Sequence, residues 1–245
     1  PDKHVDSKLP VMVWIYGGGF VAGTTSESRQ DGYNLAQQGV IVVSMNYRLG
    51  VFGFFVHPEL AKESGHNSAG NYGLLDQLLA LKWVHDNIAA FDGDPANVTI
   101  FGESAGSFSV SSQMASPLSK GLFQKAIGES GAAFSRSGLS YDAMSVRAEK
   151  DAKLTKEKLG VATLTELRAI PAEKVLAAFI PPQSPGFDFG PDVDGYFLPQ
   201  SVQEIFAAGK QNDVALLAGW NRDEGSFEVA FNPQKPTAEN FKAAA

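Results

Sequence analysis

The feature that most constrains this chain is Gly102-Glu103-Ser104-Ala105-Gly106, where an apolar run, Val98 to Phe101, meets a small-residue helical start, Ala105 to Ala115. A strand that turns sharply into a helix lifts the apex residue, Ser104, above the carboxyl edge of a sheet. The flanking glycines remove Cβ atoms that would collide where helix and strand pack closely. This is the geometry of a nucleophile elbow. The pentapeptide alone is a weak signal, because a Gly-rich turn with a solvated serine carries the same pattern. Its surroundings have to decide.

Upstream, Leu9 to Tyr16 is a continuous, β-branched-rich apolar run ended by glycines, which predicts a central strand covered on both faces in a parallel sheet. Gly17-Gly18-Gly19-Phe20 follows. Consecutive glycines let backbone N–H groups turn toward a common point, as an anion-binding loop requires, and no P-loop lysine accompanies them to support a nucleotide phosphate. Asp31 to Gln38, closed by Gly39, predicts a short helix, and Val40 to Met45 the next buried strand. Asn46 to Asn71 is a long connection rich in Gly, Phe and polar residues, expected to wrap part of a site rim. Apolar residues at Leu74, Leu78, Leu81, Val84 and Ile88 give Tyr72 to Ala90 a helical period, and Asp92 to Pro95 reads as a turn.

Downstream, Phe123 to Glu129 is compatible with another parallel strand. From Tyr141 to Ile180 the pattern changes to amphipathic helices, 143–159 and 172–179, rich in Lys, Glu and Ala. A Pro/Gly loop over 181–191, a short helix over 200–208 and a late strand, Asp213 to Trp220, complete the alternation. Asn221-Arg222-Asp223-Glu224 then places carboxylates at the carboxyl end of that strand, the edge where open α/β sheets bind ligands. The expected organisation is one α/β domain over 1–245. Its sheet core, with the glycine loop and elbow, spans 9–131, a helical insertion with loops spans 140–212, and the late strand with its carboxylates spans 213–226.

Composition excludes several functions. A net charge of −7 without a long basic run leaves no electrostatic footprint for nucleic acid, and no stretch approaches the ~20 apolar residues of a membrane span. The absence of cysteine rules out thiolate metal sites and a cysteine nucleophile within these residues. Localisation stays open.

The segments VMVWIYGGGF, NYRLG, GNYGLLDQLLALKWVHDNIAAFDGDPANVTIFGESAG, SKGLFQKAIGESG and NRDEGSF, in this order from Leu9 to about Phe227, closely resemble the type-B carboxylesterase/lipase family of the α/β-hydrolase superfamily, especially its bacterial members. The resemblance implies an α/β-hydrolase fold: a mostly parallel central sheet flanked by helices, with a helical insertion after the elbow region. It implies hydrolysis of a small-molecule carboxylic ester without a cofactor or metal. Ser104 would be the nucleophile and Glu224 the triad acid, with Asp223 the competing assignment. The N–H groups of Gly18, Gly19 and Ala105 would form the oxyanion hole. Glu103 and Ser130 match positions close to the catalytic histidine, and Phe20, Phe134 and Phe227 match positions lining the acyl pocket. The family's GGG-x loop implies acceptance of bulky esters, including those of tertiary alcohols. Arg48 and Asp76 resemble a buried structural ion pair.

The base departs from the family's pattern, which runs Ser, Glu, then His. Here His4, His57, His66 and His85 all precede Ser104. The chain also starts without Met and enters a buried-type strand almost at once. The expectation is therefore an internal segment of a longer carboxylesterase, with the histidine and final strands on N- and C-terminal parts of the protein, or a companion chain, outside these residues. The alternative is a catalytically inactive cholinesterase-like binding or adhesion module on the same fold.

Overall fold

In the computed structural model, which describes residues 8–134, 141–179, 188–224 and 237–239, the chain begins with the apolar run as β1, Leu9–Ile15. A short helix α1, Tyr33–Ala36, leads to β2, Ile41–Ser44. The long connection that follows is partly helical, a feature its sequence did not announce: α2, Gly50–Phe54, and α3, Pro58–Glu63, lie within it. The amphipathic run forms α4, Tyr72–Asn87. β3, Gly93–Glu103, absorbs most of the expected turn, its register with β1 shifting between Leu9 and Val11. The elbow helix is α5, Ala105–Ala115, followed by β4, Lys125–Glu129. Then come α6, Met144–Leu159, α7, Leu164–Arg168, α8, Ala172–Phe179, α9, Val202–Ala207, and β5, Ala215–Gly219.

The five strands of the described residues form one sheet in the order β2-β1-β3-β4-β5, every pair parallel. Parallel neighbours need crossovers, and the helices between strands supply them. β1 sits beside β3, so the Gly17 loop and the Ser104 turn leave the sheet at adjacent carboxyl ends.

Burial of β1 is one-sided, correcting the expectation of two covered faces. Val11, Val13 and Ile15 are fully buried, whereas Met12 and Trp14 are half-buried. On the Trp14 side, Trp14 donates its indole N–H to Gln30 Oε1 at 2.6 Å and packs on Phe101, 4.7 Å between ring centroids. β2 is half-buried as an edge strand, and every residue of β5, the other edge, is exposed. Leu217 at 66% and Trp220 at 81% exposure leave an apolar edge of the kind that stable sheets cover or pair.

The helical region packs back through aromatic rings, Phe179 against Phe189 at 5.1 Å and Phe189 against Phe55 at 6.3 Å. Arg48 does pair with Asp76, through Nε and a terminal nitrogen, both at 2.8 Å. The pair is not buried, because the Arg48 side chain is 52% exposed. Such bidentate pairs fix geometry more than they stabilise.

A polar knot lies under this region. Asn71 grips the Asp192 backbone both ways, Nδ2 donating to its C=O at 2.8 Å and Oδ1 accepting its N–H at 3.1 Å. Both Asp192 carboxylate oxygens are buried without a hydrogen-bond partner among the described residues. Burial, then the neighbouring Asp194 carboxylate, push its pKa up to about 8, with Asp151 adding to the rise and Arg147 opposing it. A folded-state pKa above the unfolded value means that the native state binds the extra proton, so stability is lost as pH rises from about 4 through 8. Asp192→Asn is expected to raise the thermal midpoint at pH 9 relative to the parent by about 2–4 °C per kcal/mol relieved. At pH 5 it should make little difference, as melting curves at the two pH values will read.

Candidate active site

Ser104 is the single residue between β3 and α5, and it holds φ 53°, ψ −121°. A non-glycine residue at positive φ is uncommon and persists only where its surroundings over-determine it. Here the Ser104 N–H donates to the Glu129 C=O of β4 at 2.9 Å, and the Ser104 C=O accepts from Phe108 at 3.0 Å. Packing finishes the turn. A Cβ on Gly106 would lie 2.0 Å from the Ile15 carbonyl oxygen, so only glycine lets α5 descend onto the end of β1.

The same close fit brings in the glycine loop. A Cβ on Gly17 would sit 2.6 Å from the Glu103 carbonyl oxygen and 3.0 Å from Ser104 Cβ, so the loop lies directly on the elbow. The loop is folded by the Gly18 C=O, which accepts from Val21 and Ala22 at 3.1 Å each. Among the described residues, no acceptor takes the N–H of Gly18, Gly19 or Ala105. Ala105 opens α5, where first-turn N–H groups have no intrahelical partner and the helix contributes partial positive charge.

On the other side stands Glu224, in the turn after β5. Ser130, at φ 52°, follows β4 and donates its N–H to the Gly219 C=O at 2.8 Å. Its hydroxyl donates to Glu224 Oε1. The same oxygen accepts the Asn221 backbone N–H at 2.9 Å and its side-chain Nδ2–H at 3.2 Å. These bonds, the Ser130 hydroxyl first, hold the Glu224 carboxyl below the usual range, so it is an anion at neutral pH. Glu103 is shifted upward, by burial first and then by the Glu224 charge, which places the two carboxylates within electrostatic reach. An open cavity of about 370 Å³ is lined by Glu103, Ser130, Trp220 and Asn221, and an adjoining one of about 320 Å³ by Ser130, Gly131, Trp220 and Glu224. Asp223 is exposed, with no hydrogen-bond partner among the described residues.

Ser104, Gly18, Gly19, Ala105, Glu103, Ser130 and Glu224 thus gather at the carboxyl ends of β1, β3, β4 and β5. The aromatic candidates are placed differently. Phe20 is 3% exposed and packs edge-on to Phe54 at 5.1 Å, inside the core. Phe134 is 42% exposed and meets Phe206 at 4.7 Å. Phe227 lies outside the described residues, as does His4. His57 caps α3 through Nδ1 and meets the Ala162 C=O with Nε2. His66 stacks on Tyr196 at 3.8 Å, and His85 pairs with Asp86 at 2.9 Å. Each is engaged elsewhere.

Asn221 as a partner of Glu224, and the direct seating of Gly17 on the elbow, were not read from the sequence. The only hint for Asn221 was its spacing of three residues before a carboxylate. Among the described residues, no group of three or more His, Cys, Asp or Glu side chains could hold a metal ion, and no helix is long and apolar enough to cross a membrane.

A parallel sheet with helical crossovers and a serine turn at its carboxyl edge defines an α/β-hydrolase. The chain belongs to the carboxylesterase family, which its residues 1–244 match. It is 46% identical over 243 residues to the para-nitrobenzyl esterase of Bacillus subtilis (strain 168), covering 96% of this chain and 48% of that protein. It is 42% identical over 235 residues to the fumonisin B1 esterase of Sphingopyxis macrogoltabida, covering 94% of this chain and 42% of that one. A crystal structure of a Geobacillus stearothermophilus carboxylesterase superposes with a TM-score of 0.81 at 38% identity, covering 93% of this chain and 48% of the other. The chain therefore spans about half the length of these relatives.

Proposed function

We propose that the protein is a serine carboxylesterase that hydrolyses small-molecule carboxylic esters through an acyl-enzyme on Ser104. The observation that carries this reading is Ser104 at positive φ, with the Gly17 loop on one side and the Ser130–Glu224 hydrogen bond on the other. Family membership and the relatives named esterases support it.

In this mechanism a histidine takes the Ser104 proton as the hydroxyl attacks the ester carbonyl, and later delivers it to the departing alkoxide. Water then repeats the sequence on the acyl-enzyme and releases the acid. The negative charge on the tetrahedral oxygen is met by the N–H groups of Gly18, Gly19 and Ala105, donors fixed before the reaction begins and aided by the N-terminus of α5. Glu224 accepts the histidine's other N–H, sets its tautomer and stabilises its cationic form. Ser130 and Asn221 keep that carboxylate ionised and oriented, and Glu103 adds a second carboxyl group nearby. The described histidines are committed to other partners and His4 lies outside the described residues, so this reading takes the base from beyond these residues, as the family's order Ser, Glu, then His implies.

A fluorophosphonate applied to the full-length protein is expected to leave one adduct, on Ser104, as peptide mass spectrometry will locate. A correctly folded protein that takes no adduct there would instead be the inactive binding module.

A further inference from the structure

The glycine loop poses a physical problem that its own residues do not solve. Gly17, Gly18 and Gly19 have no side chains to pack, and glycine loses more conformational freedom on ordering than any other residue. Donors preorganised for a developing oxyanion must nevertheless be held still. The loop therefore needs restraints from outside itself.

Besides the elbow on which Gly17 lies and the turn bonds to the Gly18 C=O, they come from one short segment, residues 46–50. The Tyr47 hydroxyl donates to the Tyr16 C=O at 2.7 Å. That carbonyl shares a planar peptide unit with the Gly17 N–H, so fixing it sets the plane from which the chain enters the glycines. The Tyr16 and Tyr47 rings stack at 4.5 Å and 19°, with Tyr16 1% and Tyr47 5% exposed. At the far end of the loop, the Gly50 N–H donates to the Phe20 C=O at 2.7 Å. Beyond it, the Thr25 N–H donates to Asn46 Oδ1 at 3.0 Å. The segment is itself anchored, because Arg48 gives its backbone N–H and its guanidinium to Asp76 of α4. A rigid helix thus holds the strap, and the strap holds both ends of the loop. Burial, the largest cause, pushes the Tyr47 phenol far above its ordinary pKa, so it stays a neutral donor across the working pH range.

We infer that Tyr47 is a positioning residue for catalysis, whose hydroxyl, acting with Gly50 and Asn46, holds the Gly17–Gly19 backbone in the orientation that receives the oxyanion. The inference rests on the proposed esterase reading. Tyr47 touches no reacting atom. Its loss should therefore weaken stabilisation of the transition state and leave ground-state ester binding alone.

The test uses the full-length protein, p-nitrophenyl esters and a trifluoromethyl ketone, whose tetrahedral adduct places an oxyanion in the hole. Tyr47→Phe keeps the ring and removes one hydrogen bond. It is expected to lower kcat about 10-fold with KM changed less than about 2-fold, and to weaken the ketone in parallel. Gln30→Leu removes the bond to Trp14, which is not part of the strap, and serves as a stability control, with kcat unchanged. Should Tyr47→Phe not fold, Asn46→Ala at an exposed position tests the same strap, with an expected 2- to 3-fold loss of kcat and steady KM, roughly one weak hydrogen bond. Unchanged kcat and ketone affinity in a folded Tyr47→Phe, or a loss confined to KM, would overturn the inference. Ser104→Ala run alongside separates the two levels: full activity there would overturn the esterase reading itself.

Discussion

Replacing Ser104 by alanine is expected to lower kcat for ester hydrolysis by about 10⁵- to 10⁶-fold, as loss of the nucleophile does in serine hydrolases generally. The size follows from losing the covalent route, because the glycine loop and substrate contacts would still contribute the residual rate over water. The fold should be retained, since Ser104 is held by backbone bonds to Glu129 and Phe108 that alanine also makes. Hydrolysis of a p-nitrophenyl ester by the full-length protein, with circular dichroism as a check of folding, measures both. A residual activity within about 10-fold of the parent would assign the reaction to another group.

Glu224→Gln is the second large effect, about 10³- to 10⁴-fold in kcat. Glutamine keeps the shape but cannot stabilise a charged imidazole, and its amide presents a donor where Ser130 and Asn221 already donate. Asp223→Asn is the comparison that gives this meaning. Asp223 is exposed and has no hydrogen-bond partner among the described residues, so its loss should change kcat little. If the two variants exchanged places, the acid would be Asp223 and the Ser130 bond would be structural. Side-by-side kcat and KM values decide between them.

Much of the core was readable because parallel strands are continuous apolar runs and the helices crossing between them have a 3.6-residue period. Leu9–Ile15, Tyr72–Asn87 and Ala172–Phe179 lie within a residue or a few of where those patterns put them. What was misread depends on neighbours. The strand over 40–45 looks buried by composition, yet it is half-buried because it stands at the sheet edge. The connection after it hid α2, whose sequence GVFGF has no helical period long enough to register. Arg48 and Asp76 form their pair, but exposure of a side chain is set by what packs above it.

The candidate site divides the same way. Local chemistry is visible in sequence wherever one residue type is needed for a backbone reason: Gly106 must be glycine because a Cβ there would meet Ile15, and Gly17 because it would meet Glu103. The sequence by itself therefore determined the elbow, the glycine loop and a carboxylate at the end of a late strand. Only the tertiary structure decided that these three stand at neighbouring strand ends, that Asn221 and Ser130 share Glu224, and that Tyr47 reaches back 31 residues to the Tyr16 carbonyl. The physical reason is that strand order β2-β1-β3-β4-β5 is not chain order. Which carboxyl ends lie side by side is settled by how the sheet buries its apolar faces, and no local pattern carries that information.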